Sequence, residues 1–254
     1  MMDLIFLGTG TSSGIPVIGC HCEVCRSKNE KDKRMRSSIY VKSEETALVI
    51  DTGPDFRMQI LHNEIEHLDA ALITHTHKDH IAGLDDAKSF ADINKRPFPI
   101  FANGDSAQII ENEFAYAFQS LRYPGIPNFE LRKIDDQPFF IHNLKITPIP
   151  VMHYRLPILG YRIGSFAYIT DASEIPSDSL KKLQDLDILV INALRITKHI
   201  AHFTLEEAID MIRTIKPKKA YLTHMSHHLG LHDVVFGRLP KNIFLAYDGL
   251  KISC

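Results

Sequence analysis

Apolar residues fall along this chain in short runs broken by Gly, Asp or His, a pattern of buried strands and not of long helices. The runs predict strands at Leu4–Leu7, Ser38–Val41, Ala47–Ile50, Ala70–Thr74 and Pro99–Ala102. Later runs predict further strands at Leu144–Val151, Phe166–Thr170, Ile188–Asn192, Ala220–Thr223 and Ile243–Tyr247. Helical spacing is clearest over Leu205–Ile215, where Leu205, Ala208, Ile209 and Ile212 share one face. Thr204 is the expected N-cap, with Glu206 and Glu207 in the first turn and Pro217 beyond the end. Shorter helices fit Asp55–His62, Leu84–Ile93, Ser106–Ala117 and Asp178–Leu183, and Pro124 to Pro127 reads as a connecting loop. No linker, repeat or low-complexity tract divides the chain. The expectation is one α/β domain over residues 1–254, with large sheets and covering helices.

Composition narrows the function classes. The chain is 44% hydrophobic and 24% charged, an ordinary globular balance. Lys and Arg total 29 against 31 Asp and Glu, a formal charge of −2, so a nucleic-acid partner is not expected. No apolar run approaches the roughly 20 residues of a membrane span. The opening Met-Met-Asp-Leu-Ile-Phe-Leu lacks a basic region and meets Gly8 too soon for a secretion signal. Cys20, Cys22 and Cys25 are crowded together, which suggests metal and not disulfides, and a cytoplasmic location is expected. The 14 histidines exceed ordinary structural need.

Three of them stand in the central feature, His75-Thr76-His77-Lys78-Asp79-His80, directly after the apolar strand Asp69–Thr74. Residues two apart on an extended segment point the same way, so His75 and His77 can grip one ion. Asp79 and His80 then fall on the turn, where they can address a second. More ligands are needed, and single His or Asp residues end three later strands: His153, Asp171 and His224. Imidazoles and carboxylates in such a set suit Zn, Mn or Fe.

His-x-His-x-Asp-His with the later His, Asp and His resembles the metallo-β-lactamase superfamily. Gly8-Thr-Gly-Thr-Ser-Ser-Gly-Ile-Pro16 resembles its phosphodiesterase side. Gly19-Cys-His-Cys-Glu-Val-Cys25 is similar to the phosphoribosyl 1,2-cyclic phosphodiesterase family of phosphonate breakdown. The resemblance spans Leu7 to Asp248. It implies an αββα sandwich, two mixed sheets with helices on the outer faces. It implies one catalytic ion held by His75, His77 and His153, a second by Asp79, His80 and His224, and Asp171 bridging both. Asp51, in Ile-Asp-Thr-Gly, would orient the histidine loop. It further implies a structural zinc on Cys20, Cys22, Cys25 and His227, with His21 and His228 as competing fourth ligands. The catalytic ions would be Zn or Mn.

The implied reaction is hydrolysis of a small cyclic phosphodiester or nucleotide, by water activated between the two ions. Asp79 belongs to that machinery, and His202 matches the position of a non-ligand histidine that protonates the leaving oxygen. An ordinary imidazole pKa near 6.5 suits that task. His199 is the alternative, and together with His62, His67 and His142 it is otherwise expected at the surface. His228 and His232 are candidate substrate contacts, as are Arg36, Arg155 and the Gly8–Gly14 turn. A tRNA 3′-processing endonuclease is the near rival, but no segment is long and basic enough for its tRNA-binding arm. Thioester or lactam hydrolysis is disfavoured by the Gly8–Pro16 motif and the cysteines, and a non-catalytic metal-binding accessory protein by the complete ligand set. Asn192-Ala-Leu-Arg195 departs from the phosphonate-pathway pattern and leaves the substrate open. A homodimer is the default assembly.

Overall fold

The computed structural model describes residues 1–119 and 125–254. Along the chain run β1 (Met2–Gly8), β2 (Ser38–Ser43), β3 (Thr46–Ile50), β4 (Ala70–Leu72), β5 (Phe98–Asn103), β6 (Phe129–Ile134) and β7 (Phe139–Ile141). Then come β8 (Leu144–His153), β9 (Leu156–Ile163), β10 (Phe166–Ile169), β11 (Ile188–Asn192), β12 (Lys219–Thr223), β13 (Ile243–Leu245) and β14 (Lys251–Ser253). They form two seven-stranded sheets, in the orders β14-β1-β2-β3-β4-β5-β6 and β13-β12-β11-β10-β9-β8-β7. The helices are α1 (Phe56–His62), α2 (Lys78–Ile81), α3 (Lys88–Asn94), α4 (Gly104–Glu113), α5 (Ala115–Phe118), α6 (Ser177–Lys181), α7 (Leu205–Ile215) and α8 (His232–Phe236).

Alternation along the strands explains the layers, because successive side chains point to opposite faces. Leu48 and Ile50 of β3 face inward, where with Leu4, Phe6 and Val41 they meet Tyr161, Phe166, Tyr168 and Val190 of the second sheet. Their neighbours Ala47 and Val49 face outward and pack with Phe90, Ala107 and Ile110 of α3 and α4. In β11, Val190 points inward while Leu189 and Ile191 lie under Ala208, Ile212 and Ile215 of α7. Both faces of each sheet are therefore apolar, and the result is the expected αββα sandwich. Thr204 caps α7 as expected, its side chain accepting from the Glu207 N–H in a reciprocal capping box.

Four strands were not foreseen: β6, β7, β9 and β14. β9 carries Pro157 and Gly160, residues that argue against a strand interior. Gly160 is required there, since a Cβ would sit 2.8 Å from the Tyr168 carbonyl oxygen. β6, β7 and β14 lie at sheet edges, where exposed polar positions dilute the pattern. The expected helix at Leu84–Ile93 is a 3₁₀ turn, Leu84–Ala87, followed by α3. The helix expected over Ser106–Ala117 divides at Phe114 into α4 and α5. Of the loop expected at 124–127, residue 124 lies outside the described residues, and 125–127 carry no helix or strand. Among the described residues no helix is long and apolar enough to cross a membrane.

The second sheet is stitched to the segment that leads into His75. The Leu159 N–H donates to the Thr74 carbonyl at 3.1 Å, and the buried Tyr161 hydroxyl donates to the Ile73 carbonyl at 2.6 Å. Tyr161→Phe removes that second bond and leaves a buried carbonyl without it. The expected cost is about 1–2 kcal/mol, read as a lower urea midpoint with an unchanged slope.

Candidate metal centre

The polar residues collect at one edge because of strand direction. β3 runs parallel to β4, and β10, β11 and β12 run parallel to one another, so their carboxyl ends share an edge. Asp51 follows β3, His75 lies just beyond β4, His153 ends β8, Asp171 follows β10 by two residues and His224 follows β12. Functional groups of α/β sheets gather at such carboxyl ends.

The backbone is bent sharply at three of these points. Asp51, Asp171 and His224 adopt left-handed conformations, with φ of 67°, 57° and 53°. Few non-glycine residues do so, and strain of this kind persists where surrounding structure holds it in place. Two glycines fit the turn around α2. A Cβ on Gly53 would lie 2.1 Å from the Asp79 carbonyl oxygen, and one on Gly83 would lie 2.1 Å from that of Gly53. Thr52 receives α2 in this gap, donating its N–H to the His80 carbonyl at 2.7 Å.

Two donor groups result. One ligand atom each from His75, His77 and His153 lie within 4.8 Å of one another, and so do those of Asp79, His80, Asp171 and His224. Asp171 is the hinge between them. Its Oδ1 lies 3.0 Å from His224 Nδ1 and 3.4 Å from His80 Nε2, and its Oδ2 lies 3.9 Å from His75 Nε2. Asp51 stands behind, accepting from His80 Nδ1 at 2.7 Å and from the Thr74 N–H at 2.8 Å. His153 is fixed likewise, Nδ1 donating to the Ala201 carbonyl at 2.8 Å. Each such bond settles which ring nitrogen remains free to face an ion.

The groups fit metal ions. His80 Nε2 and His224 Nδ1 are buried without a hydrogen-bond partner among the described residues, although carboxylate oxygens lie close by. Buried polar atoms are normally paired, and lone pairs that converge without bonding one another suit a shared cation. Charge at Asp171 and His75 points the same way, whereas at His80 burial is outweighed by Asp171 and Asp51, which lift it well above the ordinary imidazole value. Burial alone would push Asp171 up, but His224, His80 and His75 hold it well below the usual carboxylate range. Burial, with His80 nearby, pushes His75 well below the ordinary imidazole value, leaving it the neutral form that ligates.

The cysteine clip assembles with equal regularity. The three thiols of Cys20, Cys22 and Cys25 lie 3.3, 3.4 and 3.4 Å from His227 Nδ1. Of the competing fourth ligands, His21 is exposed, and His228 stacks on the His227 ring and lies outside the donor group. The N–H groups of Val17 and Cys25 point at the sulfurs of Cys25 and Cys22, each at 3.4 Å. The Cys25 N–H helps bring the Cys22 thiol down to about 6, so one sulfur favours the thiolate, while burial takes Cys25 up to about 11. Four S and N donors in this arrangement suit a closed tetrahedral zinc site.

His202 lies with His153 and Asp171 in a further donor group, its Nδ1 4.0 Å from Asp171 Oδ2 and its ring 4.7 and 5.0 Å from those of His153 and His224. Its pKa does not keep the expected ordinary value: burial, with His224 nearby, takes it down to about 3. His199 is not a plain surface residue, because its ring stacks 5.0 Å from that of His202. His62, His67 and His142 are exposed and away from the centre. His232 is buried and bonded to Arg34 at 3.1 Å, so it is no substrate contact. Arg36 is held by Asp55 at 3.2 Å and by the Ser12 carbonyl, while Arg155 lies over the Tyr154 ring. The glycine turn is a strap and not a phosphate cradle: Gly10, Gly14 and Ile15 donate their N–H groups to Met35, Thr11 and Arg34 carbonyls. The sequence reading missed Thr74, the Ala201 carbonyl and Asn192, which bonds Ala172 through both side-chain atoms. Only Asn192, a polar residue closing an apolar strand, left a trace in the pattern.

A beta-lactamase superfamily domain model matches residues 46–225, and with this fold and site the chain belongs to the metallo-β-lactamase superfamily of metal-dependent hydrolases. Within it the chain is a member of the PhnP-like family. The crystal structure of a diphosphatase from the PhnP family is 39% identical, with a TM-score of 0.93, covering 100% of this chain and 98% of that one. An octanoyltransferase of Porphyromonas gingivalis is 41% identical over 98% of this chain but 51% of its own length. A ribonuclease Z of Methanococcus maripaludis is 25% identical over 86% of this chain and 65% of its own. The chain thus spans about half the length of the first of these relatives and 65% of the second.

Two outcomes are expected of metal titrations. Asp51→Asn should weaken binding at the His80 group by roughly 10–100-fold with the fold intact. His227→Ala should remove one zinc per chain and lower the melting temperature, while metal bound at the Asp171 centre stays. Zinc loss from both places at once would contradict the separation of the two sites.

Proposed function

We propose that the protein is a phosphodiesterase that hydrolyses a small phosphodiester, cyclic or nucleotide in kind, at two divalent ions, Zn or Mn. One observation carries the reading: the Asp171 carboxylate joins Asp79, His80 and His224 in one donor group and His153 and His202 in another, beside the group of His75, His77 and His153. Ions bound in such a pair supply a nucleophile from water near neutral pH and offset charge on a phosphoryl oxygen. His75, His77 and His153 would hold one ion and Asp79, His80 and His224 the other, with Asp171 available to both. Asp51 and the Ala201 carbonyl keep His80 and His153 turned to their ions. The cysteine clip with His227 holds a structural zinc that braces the His224 loop, three residues away in sequence.

His202 serves the leaving group. In the free site its surroundings keep it unprotonated. An anionic phosphoryl group beside it opposes those surroundings and raises its affinity for a proton. The acid is therefore charged as substrate binds, and Nδ1 or Nε2 returns the proton to the departing oxygen.

The resemblance to a PhnP-family diphosphatase supports phosphoryl over acyl chemistry. The octanoyltransferase name belongs to a chain about twice as long, so it does not argue for acyl transfer here. Ribonuclease Z-type cleavage is the second reading, and the formal charge of −2 weighs against it, since RNA binding draws on many cationic contacts. A cytoplasmic setting fits the crowded thiols.

The test is turnover of linear and cyclic phosphodiesters by the Zn- and Mn-loaded protein. His202→Ala should lower kcat roughly 10²–10⁴-fold while metal content stays at the wild-type level. An unchanged kcat would remove His202 from the chemistry, and no turnover of any diester would remove the proposed reaction.

A further inference from the structure

The segment between β11 and α7 forms an arch fixed at its base. Leu194 and Leu205 donate N–H groups to the Phe203 and Arg195 carbonyls at 2.9 and 3.0 Å, and Phe203 donates to Ala172 at 2.9 Å. Arg195 braces the inside, its guanidinium donating to the Thr197 and Lys198 carbonyls at 3.0 and 2.7 Å. At the crown stands His199, half-buried, its ring 5.0 Å from that of His202.

The tautomer of His199 follows from one residue. Ala201 donates its N–H to His199 Nδ1 at 3.2 Å, while its carbonyl accepts from Nδ1 of His153 at 2.8 Å. A ring nitrogen that accepts a hydrogen bond carries no proton, so the neutral His199 ring carries its proton on Nε2. No hydrogen bond among the described residues uses that Nε2–H. The cationic Arg195 near the ring makes an anion the favoured acceptor.

We propose that His199 binds the leaving group, its Nε2–H donating to an anionic oxygen such as a second phosphoryl group beyond the bond that breaks. This rests on the phosphodiesterase reading and names its substrate more narrowly: a diester whose leaving half carries its own negative charge. The Ala201 peptide ties the two tasks together, since one residue orients both the recognition imidazole and a metal-ligating one.

Two dinucleotide diesters test it, identical except for a terminal phosphate on the leaving nucleoside. His199→Ala should raise KM for the phosphorylated one roughly tenfold, the worth of one hydrogen bond to a charged group, and leave the other within about twofold. His199→Asn keeps an acceptor for the Ala201 N–H but loses the distal donor, and should match the Ala variant. His199→Gln keeps a distal donor and should recover most of the loss. Equal effects on both substrates, or Asn outperforming Gln, would overturn the proposal. Imidazole ¹⁵N NMR of the zinc-loaded protein should place the His199 proton on Nε2, with that resonance shifting as inorganic phosphate is added. A proton on Nδ1, or no shift with phosphate, would also overturn it. Should the wild type cleave neither dinucleotide nor any cyclic diester, the phosphodiesterase reading fails, and the phosphate titration alone decides His199.

Discussion

A buried carboxylate facing several imidazoles sets the terms for the whole open end of this sandwich. Asp171 has His224 and His80 on one oxygen and His75 and His202 on the other, at 3.0 to 4.0 Å. An isolated buried charge costs far more than one hydrogen bond returns. The rings around Asp171 reduce that cost when protonated, yet proximity makes them repel one another. Divalent cations resolve the conflict, because they satisfy the carboxylate and the neutral nitrogen lone pairs together.

Holding these groups in place requires a rigid frame behind them. Asp171 itself receives the Thr170 hydroxyl at 2.6 Å, and Asn192 pins the next residue with two hydrogen bonds. The left-handed turns at Asp51, Asp171 and His224 follow strands whose last residues are buried, and that packing holds the local strain. The strap from Gly8 to Ile15 joins the frame from the side. Met225, next to His224, donates to Thr9 at 2.9 Å, and the buried Arg34 ties Thr9 to Ala246 and His232. The cysteine clip grips the same loop through His227. The residues that follow His224 are therefore held at two points by segments from the far end of the chain.

The ligand-bearing positions were legible because strand periodicity is local and a single His or Asp at the end of an apolar run interrupts it visibly. His75 to His80, His153, Asp171 and His224 all stood out for that reason. β9 was hidden by Pro157 and by Gly160, whose presence answers to the Tyr168 backbone and not to any neighbour in sequence. The carbonyl of Ala201 could not be read at all, since a backbone oxygen has no letter of its own. His199 was expected at the surface, yet its ring lies beside that of His202, three residues on, in an arch set by Arg195 and by contacts with Ala172. His202 was found, yet its proton affinity was not, because burial by residues far along the chain decides it.

The frame, the strained turns and the converging nitrogens all bear on the proposal of a pair of cations at Asp171. Anomalous X-ray scattering from crystals of the metal-loaded protein, collected at the absorption edge of the added metal, tests this most directly. The account predicts two peaks roughly 3.5–4 Å apart flanking the Asp171 carboxylate, and a separate zinc peak among Cys20, Cys22, Cys25 and His227. A zinc peak at the cysteines with no density for metal between His75 and His224 would contradict it.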